Sequence, residues 1–168
     1  MPFRTRPAGP DDAEAIARIY NEGIEDRVGT FEVEPRSADE VRDWIDAAYP
    51  IVVSEDESGL VVAWASAPPY RAQRPAYAGV AEFSIYVARP ARGQGAGRVT
   101  LAALISEAEG RGYWKLVSRI FPENEGSLAL CRSLGFREVG TYHRHAKLDG
   151  MWRDVVIVER LLGEAADY

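Results

Sequence analysis

Between Glu82 and Gly97 the chain reads EFSIYVARPARGQGAG, and this stretch limits the fold more than any other. Up to Val87 it has the composition and period of a strand. After Pro90 glycines recur at 93, 95 and 97, and apolar residues then fall at 99, 101, 102, 104, 105 and 108, a helical run stopped by Gly110 and Gly112. A strand that passes through alternating glycines straight into a helix calls for a mixed α/β architecture. It also presents backbone N–H groups where the helix dipole is positive, an arrangement suited to an anion. Arg92 and Arg98 flank the glycines and can pair with phosphate oxygens, although glycines by themselves equally fit a plain turn.

The neighbouring elements follow from period and punctuation. Phe3 to Arg6 predicts a short strand, and Gly9-Pro10-Asp11-Asp12 opens a helix with Ile16, Ile19, Tyr20 and Ile24 on one face, ending by Gly29. Ser37 and Glu40 form a capping box for a helix over 37–49, striped by Val41, Trp44, Ile45 and Ala48. Strands over 51–55 and 60–67 make a hairpin about Asp56-Glu57-Ser58-Gly59, and a third strand spans 79–87. Beyond the glycine loop come a strand over 114–121, a helix over 124–134 closed by Gly135, and strands from Phe136 to about His145 and over 152–162, joined at Asp149-Gly150. Without repeat or linker, residues 1–163 read as one domain and 164–168 as a frayed tail.

With 168 residues the chain can bury roughly two-thirds of the surface its unfolded form exposes, so its core needs no metal or disulfide. Cys131 is the only cysteine, which fits a reducing compartment. The two histidines, His143 and His145, would need several carboxylates to complete a zinc site, and no metal is expected. A formal charge of -6 argues against a nucleic-acid partner. No apolar run approaches the ~20 residues of a membrane span, and the opening MPFRTRPAGPDD lacks the apolar core of a signal peptide, so a cytoplasmic location is expected.

Two nucleotide-binding signatures fail on the residues. A dinucleotide fingerprint needs a third glycine where Arg98 stands and an acid near the position of Val117. A Walker A loop needs Gly-Lys-Ser/Thr where the chain has Gly97-Arg98-Val99. A third pattern, Arg/Gln-x-x-Gly-x-Gly/Ala, is met by Arg92, Gly95 and Gly97, and it resembles the pyrophosphate loop of the GNAT superfamily of acyl-CoA-dependent N-acetyltransferases. Asn124-Glu125-Gly126-Ser127 through Leu134-Gly135-Phe136 resembles the helix that follows in that superfamily. Arg6-Pro7-Ala8, Asp11-Asp12-Ala13, Ile19-Tyr20-Asn21, Thr30-Phe31-Glu32, Arg74-x-Ala76-Tyr77, Glu82-x-Ser84-Ile85-Tyr86-Val87 and Gly150-x-Trp152-x-Asp154-Val155 are similar to the phosphinothricin acetyltransferase branch.

The resemblance implies a central, mostly antiparallel sheet flanked by helices, acetyl-CoA as cosubstrate, and often a homodimer. The strand before the loop splays from its neighbour, so that Ile85, Tyr86 and Val87 hold the pantetheine arm and the Val87 N–H meets the thioester oxygen. Arg92, Gly93, Gln94, Gly95, Ala96, Gly97 and Arg98 take the pyrophosphate, and Asn124 the pantetheine amides, unless it only caps its helix. The implied acceptor is the α-amino group of a glutamate-like or methionine-derived amino acid, attacked directly in a ternary complex. Glu82 is the candidate base; a fully solvated carboxylate is a weak one, so the role implies partial burial.

Cys131 occupies a position where the superfamily commonly has tyrosine and this branch often histidine. It is either the acid that protonates the leaving thiolate or a small buried cysteine. Arg71 and Arg74 are candidates for the acceptor's anionic groups, Arg74 better matched than Arg71, with Phe31, Glu32 and Tyr77 shaping the pocket. His143 can also face the cleft, although an exposed strand histidine fits as well. Competing readings are an acetyltransferase for a protein N-terminus, polyamine or aminoglycoside, and an acyl-CoA-binding module without turnover.

Overall fold

The computed structural model describes residues 2–168. Strand β1 (Arg4–Pro7) leads through a 3₁₀ turn into helix α1 (Ala13–Asp26), followed by α2 (Ala38–Asp46), β2 (Ile51–Glu55) and β3 (Val61–Ser66). Then come β4 (Val80–Glu82), β5 (Ser84–Val87), α3 (Ala96–Gly110), β6 (Lys115–Ile120), α4 (Glu125–Ser133), β7 (Arg137–Leu148) and β8 (Met151–Leu161). The strands form two four-stranded sheets, β1-β2-β3-β5 and β4-β6-β8-β7. All pairings are antiparallel except β4 with β6.

The one strand expected over 79–87 is two strands, parted at Phe83. The Phe83 N–H donates to the Val117 carbonyl at 2.9 Å, and its carbonyl accepts from the Ser118 hydroxyl at 2.9 Å, so both backbone groups are tied to β6. Its ring is buried beside Phe136, 4.9 Å between centroids. One residue later the chain leaves β6, and Ser84 to Val87 pair with Ser66 to Ala63 of β3. The sheets therefore meet at Phe83 and open beyond it, and that opening positions the site.

Helices cover both faces of the first sheet, which explains why β2 and β3 are near-continuous apolar runs rather than alternating ones. Ile51, Val53 and Trp64 pack toward α1 and α2, with Ile16, Ile19 and Val41. Val52 and Ala65 pack toward α3, with Leu101, Leu104 and Ala108. Ser54, the polar residue on that face, is satisfied by the buried Thr100 hydroxyl at 2.5 Å.

Element ends depart from expectation for local reasons. Helix α2 stops at Asp46, short of 49, because Ala48 takes a left-handed φ of 63°. Ser37 caps it by accepting the Glu40 N–H at 3.2 Å. Strand β7 runs on to Leu148 because Asp149 and Gly150, at φ 50° and 76°, turn the chain in the two-residue hairpin conformation that matches strand twist. Residues Gly163–Ala165 form a 3₁₀ turn behind the buried Leu162. Among the described residues, no helix is long and apolar enough to cross a membrane.

Candidate active site

Gly93 and Gly95 take φ values of 76° and 92°, which only glycine adopts without strain, and Gly95 is the N-cap of α3. The first intrahelical bond is from the Val99 N–H to the Gly95 carbonyl, so the N–H groups of the preceding turn remain for a ligand. These glycines, with Ile85, Tyr86, Val87, Arg92, Arg98 and Asn124, line a cavity of about 400 Å³ between β5 and α4. Gly97 faces it with little room to spare, since a Cβ there would stand 3.4 Å from Leu130 and 3.5 Å from Val87. Gln94 and Ala96 are not among the residues that line the cavity. The Gln94 amide braces the loop by donating to the Pro90 carbonyl at 2.9 Å, and the Ala96 methyl is buried.

Strand β5 is the edge of its sheet, and its register determines which groups face the cavity. The Ala88 N–H bonds the Val62 carbonyl at 2.8 Å. Antiparallel alternation then directs the backbone of Tyr86 and Ser84 to β3, and that of Ile85 and Val87 to the open side. The Val87 carbonyl is taken by Arg92 Nε at 3.1 Å, which leaves the Val87 N–H and both groups of Ile85 for a bound molecule. A pantetheine chain with its amides and thioester needs such a ladder, and a pyrophosphate needs the amides and guanidinium groups at its end. The residues fit acetyl-CoA.

Both flanking arginines already have partners. Arg92 Nη1 pairs with Asp26 at 2.7 Å, and Arg98 Nη1 donates to the Ser133 hydroxyl at 2.6 Å. Asn124 caps α4, its Oδ1 accepting the Ser127 N–H at 3.2 Å, and it also lines the cavity, where its Nδ2 donates to the Val28 carbonyl at 3.2 Å.

Glu82 ends β4, immediately before the split. Arg119 Nη2 holds its Oε1 at 2.7 Å, and its side chain keeps 32% of its exposure, the partial burial expected of the base. Two further cavities meet here. One, of about 760 Å³, is lined by Arg71, Tyr77, Lys115 and Tyr142 among others, and the second, of about 420 Å³, by Phe31, Glu32, Tyr86 and Phe121 among others. Glu82, Ser118, Arg119 and His145 belong to both walls. The expected acceptor residues are thus divided between two chambers that share the candidate base.

Of the two candidate arginines only one reaches a chamber, and Cys131 has the burial of the second of its two readings. Arg71, not Arg74, lines the larger chamber, with its guanidinium over the rings of Tyr70 and Tyr77 at 5.3 and 5.9 Å. Arg74 is exposed and begins the 3₁₀ turn Pro75–Tyr77. Cys131 is on the inner face of α4, 1% exposed and packed in the core with Leu128 and Phe136, whereas Ser127 and Leu130 of the same helix line the cofactor cavity. Burial, helped by the Glu138 charge, pushes its thiol up to about 12, a poor donor to a thiolate of ordinary basicity.

His143 is on the solvent side with Asp154, and His145 is the histidine at the chamber wall. Arg119 and His145 escaped the sequence reading. For Arg119 a signal exists, since Val117 and Arg119 alternate with the buried Leu116, Ser118 and Ile120 and so share the open face of β6.

Comparison with known proteins agrees with this geometry. A family model for the acetyltransferase (GNAT) domain matches residues 3–137. The chain is 33% identical over 165 residues to the phosphinothricin N-acetyltransferase of Streptomyces coelicolor, covering 95% of this chain and 96% of that one. It is 32% identical over 163 residues to an L-methionine sulfoximine/L-methionine sulfone acetyltransferase of Pseudomonas paraeruginosa, covering 95% and 94%. It also superposes with a TM-score of 0.92 on a GNAT superfamily phosphinothricin acetyltransferase of Sinorhizobium meliloti solved in complex with acetyl-CoA, at 32% identity, covering 100% of this chain and 92% of that one. With its glycine loop, its strand split at Phe83 and these likenesses, the chain belongs to the GNAT family of acetyl-CoA-dependent N-acetyltransferases, as a phosphinothricin acetyltransferase-like member.

Proposed function

We propose that this acetyltransferase acts on the α-amino group of a small amino-acid-like acceptor of the phosphinothricin, methionine sulfoximine or methionine sulfone type, by direct attack in a ternary complex. The observation that carries the reading is the position of Glu82 on the common wall of both chambers, one residue before the strand turns its free edge to the cofactor cavity. The names of the relatives in Streptomyces and Pseudomonas support the acceptor class.

Arg119 holds Oε1 of Glu82 and orients the carboxylate, leaving Oε2 to take a proton from the acceptor ammonium. The free amine then attacks the thioester carbon, forming the N–C bond, while the Val87 N–H stabilises the charge on the carbonyl oxygen. Collapse breaks the C–S bond and releases the thiolate, and the second proton of the attacking nitrogen passes through water to that sulfur as the neutral amide forms, with Cys131 serving the core rather than the chemistry. Arg71 binds the acceptor carboxylate, and Phe31, Glu32 and Tyr77 bound the space for its side chain. A homodimer completes the proposal, supported by the long edge strand β7 and the exposed Val139, Tyr142, Met151 and Trp152 on the β7–β8 hairpin; so does a cytoplasmic location.

Free-thiol release with acetyl-CoA and a panel of amino acids, polyamines and aminoglycosides tests the acceptor. Release only with non-amino-acid amines would refute the acceptor class. Glu82→Gln should lower kcat about 10²-fold or more and leave acetyl-CoA affinity unchanged; unaltered turnover across pH would remove Glu82 from the role.

A further inference from the structure

The β7–β8 ladder breaks its register beside the chambers. Tyr142 pairs with Val155 and Ala146 with Arg153, so His143, Arg144 and His145 stand opposite Asp154 alone. A regular ladder would put His143 and His145 on the same face. The bulge separates them. Arg144 takes a left-handed φ of 48°, a conformation that a side-chain-bearing residue keeps only when its surroundings hold it. Asp154 does so, accepting the Arg144 N–H at 2.7 Å with one oxygen and meeting His143 Nδ1 at 3.3 Å with the other.

His143 is thereby held outward with its side chain 79% exposed, while His145 joins the wall common to both chambers, its ring 4.8 Å from that of Tyr142. Of the four groups on that wall, Glu82 and Arg119 bond each other and Ser118 bonds the Phe83 carbonyl. Among the described residues, the His145 imidazole has no hydrogen-bond partner, so on the shared wall it is a side chain that can bond a substrate without giving up a partner in the protein.

We propose that His145 determines acceptor specificity by donating a hydrogen bond to an oxygen on the acceptor's side chain, and that Asp154, through the bulge, is its positioning residue. The inference rests on the amino-acid acceptor proposed above. An imidazole N–H recognises a sulfone, sulfoximine or phosphinate oxygen, and a thioether offers it no comparable acceptor. The bulge makes this recognition sensitive to a residue that never touches the substrate.

Methionine and methionine sulfone isolate the contact, because they share the α-amine and α-carboxylate and differ in the side-chain oxygens. With each, kcat and KM are measured for the wild type and for His145→Ala, His145→Gln, Asp154→Asn and Asp154→Asn/Arg144→Gly, with acetyl-CoA affinity as a check on folding. His145→Ala should lower kcat/KM for the sulfone about tenfold, mostly through KM, and leave methionine within about twofold. His145→Gln, which keeps an N–H donor, should retain most of the preference. Asp154→Asn should lose much of it, and the added Arg144→Gly should restore part, since glycine adopts the left-handed turn without the clamp.

Equal loss for both acceptors, or no loss for either, would overturn the assignment of His145. Loss in Asp154→Asn that the glycine fails to relieve would overturn the positioning role. If the wild type turns over no amino acid, the acceptor reading itself is overturned and this one with it, a result distinct from any selective failure of a variant.

Discussion

Replacing Gly23 by alanine tests how the first helix holds the cofactor edge. A Cβ at Gly23 would stand 2.7 Å from Cδ1 and 2.8 Å from Cε1 of Tyr86. Carbon atoms rest at about 3.5–4.0 Å, so the ring must withdraw by roughly 1 Å. Its surroundings resist: the ring is stacked on Trp64 at 5.1 Å and meets Tyr20 at 4.9 Å, and its hydroxyl donates to the Gly29 carbonyl at 3.3 Å. The displacement therefore passes to β5, whose neighbouring Ile85 and Val87 present the free backbone groups.

For stability the effects nearly cancel. Alanine gains about 1 kcal/mol of helix propensity, and overpacking costs about 1–3 kcal/mol, a net loss near 1 kcal/mol or about 3 °C in Tm for a chain of this size. Catalysis is more sensitive, because a misplacement of about 1 Å at the reacting centre can cost on the order of 10²-fold. Thermal melts and steady-state kinetics should show a small fall in Tm beside a drop in kcat/KM for acetyl-CoA of tenfold or more. A Tm lower by about 3 °C with kcat and KM both within twofold of wild type would refute the coupling of α1 to the cofactor edge through Tyr86.

Cys131→Ala should keep kcat within about twofold while losing about 1 kcal/mol of stability, since the thiol fills core space; a large fall in kcat with normal stability would restore the acid role. Asp26→Asn frees Arg92 from a 2.7 Å ion pair and should tighten acetyl-CoA binding a few-fold at low salt, an effect that calorimetry should find reduced at high salt, whereas weaker binding would mean that Asp26 holds Arg92 in its binding position. Burial pushes the Asp12 carboxyl up, but hydrogen bonds from Arg6 and the Gly9 N–H outweigh it and hold the carboxyl below its usual range. Its contribution to stability is therefore present above about pH 4 and lost as pH falls through the lower folded value. Asp12→Asn should melt lower than wild type at pH 7, and the two Tm values should converge in acid; a gap independent of pH would assign the loss to packing.

Several parts of the fold and site were legible because their signals are local. The glycine loop, the caps at Ser37 and Asn124 and the Asp149-Gly150 hairpin depend on conformational preferences within one to four residues. The apolar periods of α1, α3 and the strands record which faces are covered, and one wall of the cofactor cavity is drawn from a single stretch of chain, Ile85 to Arg98. For that reason the anion site could be read before any tertiary contact was known, while its cosubstrate came from the resemblance to the acetyltransferase family.

The remainder depended on partners far apart in sequence. Phe83 divides its strand because Val117 and Ser118 compete with β3 for its backbone, a competition that no period within residues 79–87 records. Arg119 reaches Glu82 across the parallel β4–β6 pairing, and Asp154 determines which of two alternating histidines faces the chambers. Cys131 and Arg74 sit where resemblance to a family suggested chemistry, but the face of α4 and the path of the loop turn one into the core and the other outward. By itself the sequence determined most of the elements and the glycine anion site, since short-range sterics specify both. Only the tertiary structure decided where the central strand parts and which side chains meet at the gap, because those outcomes depend on long-range backbone pairing.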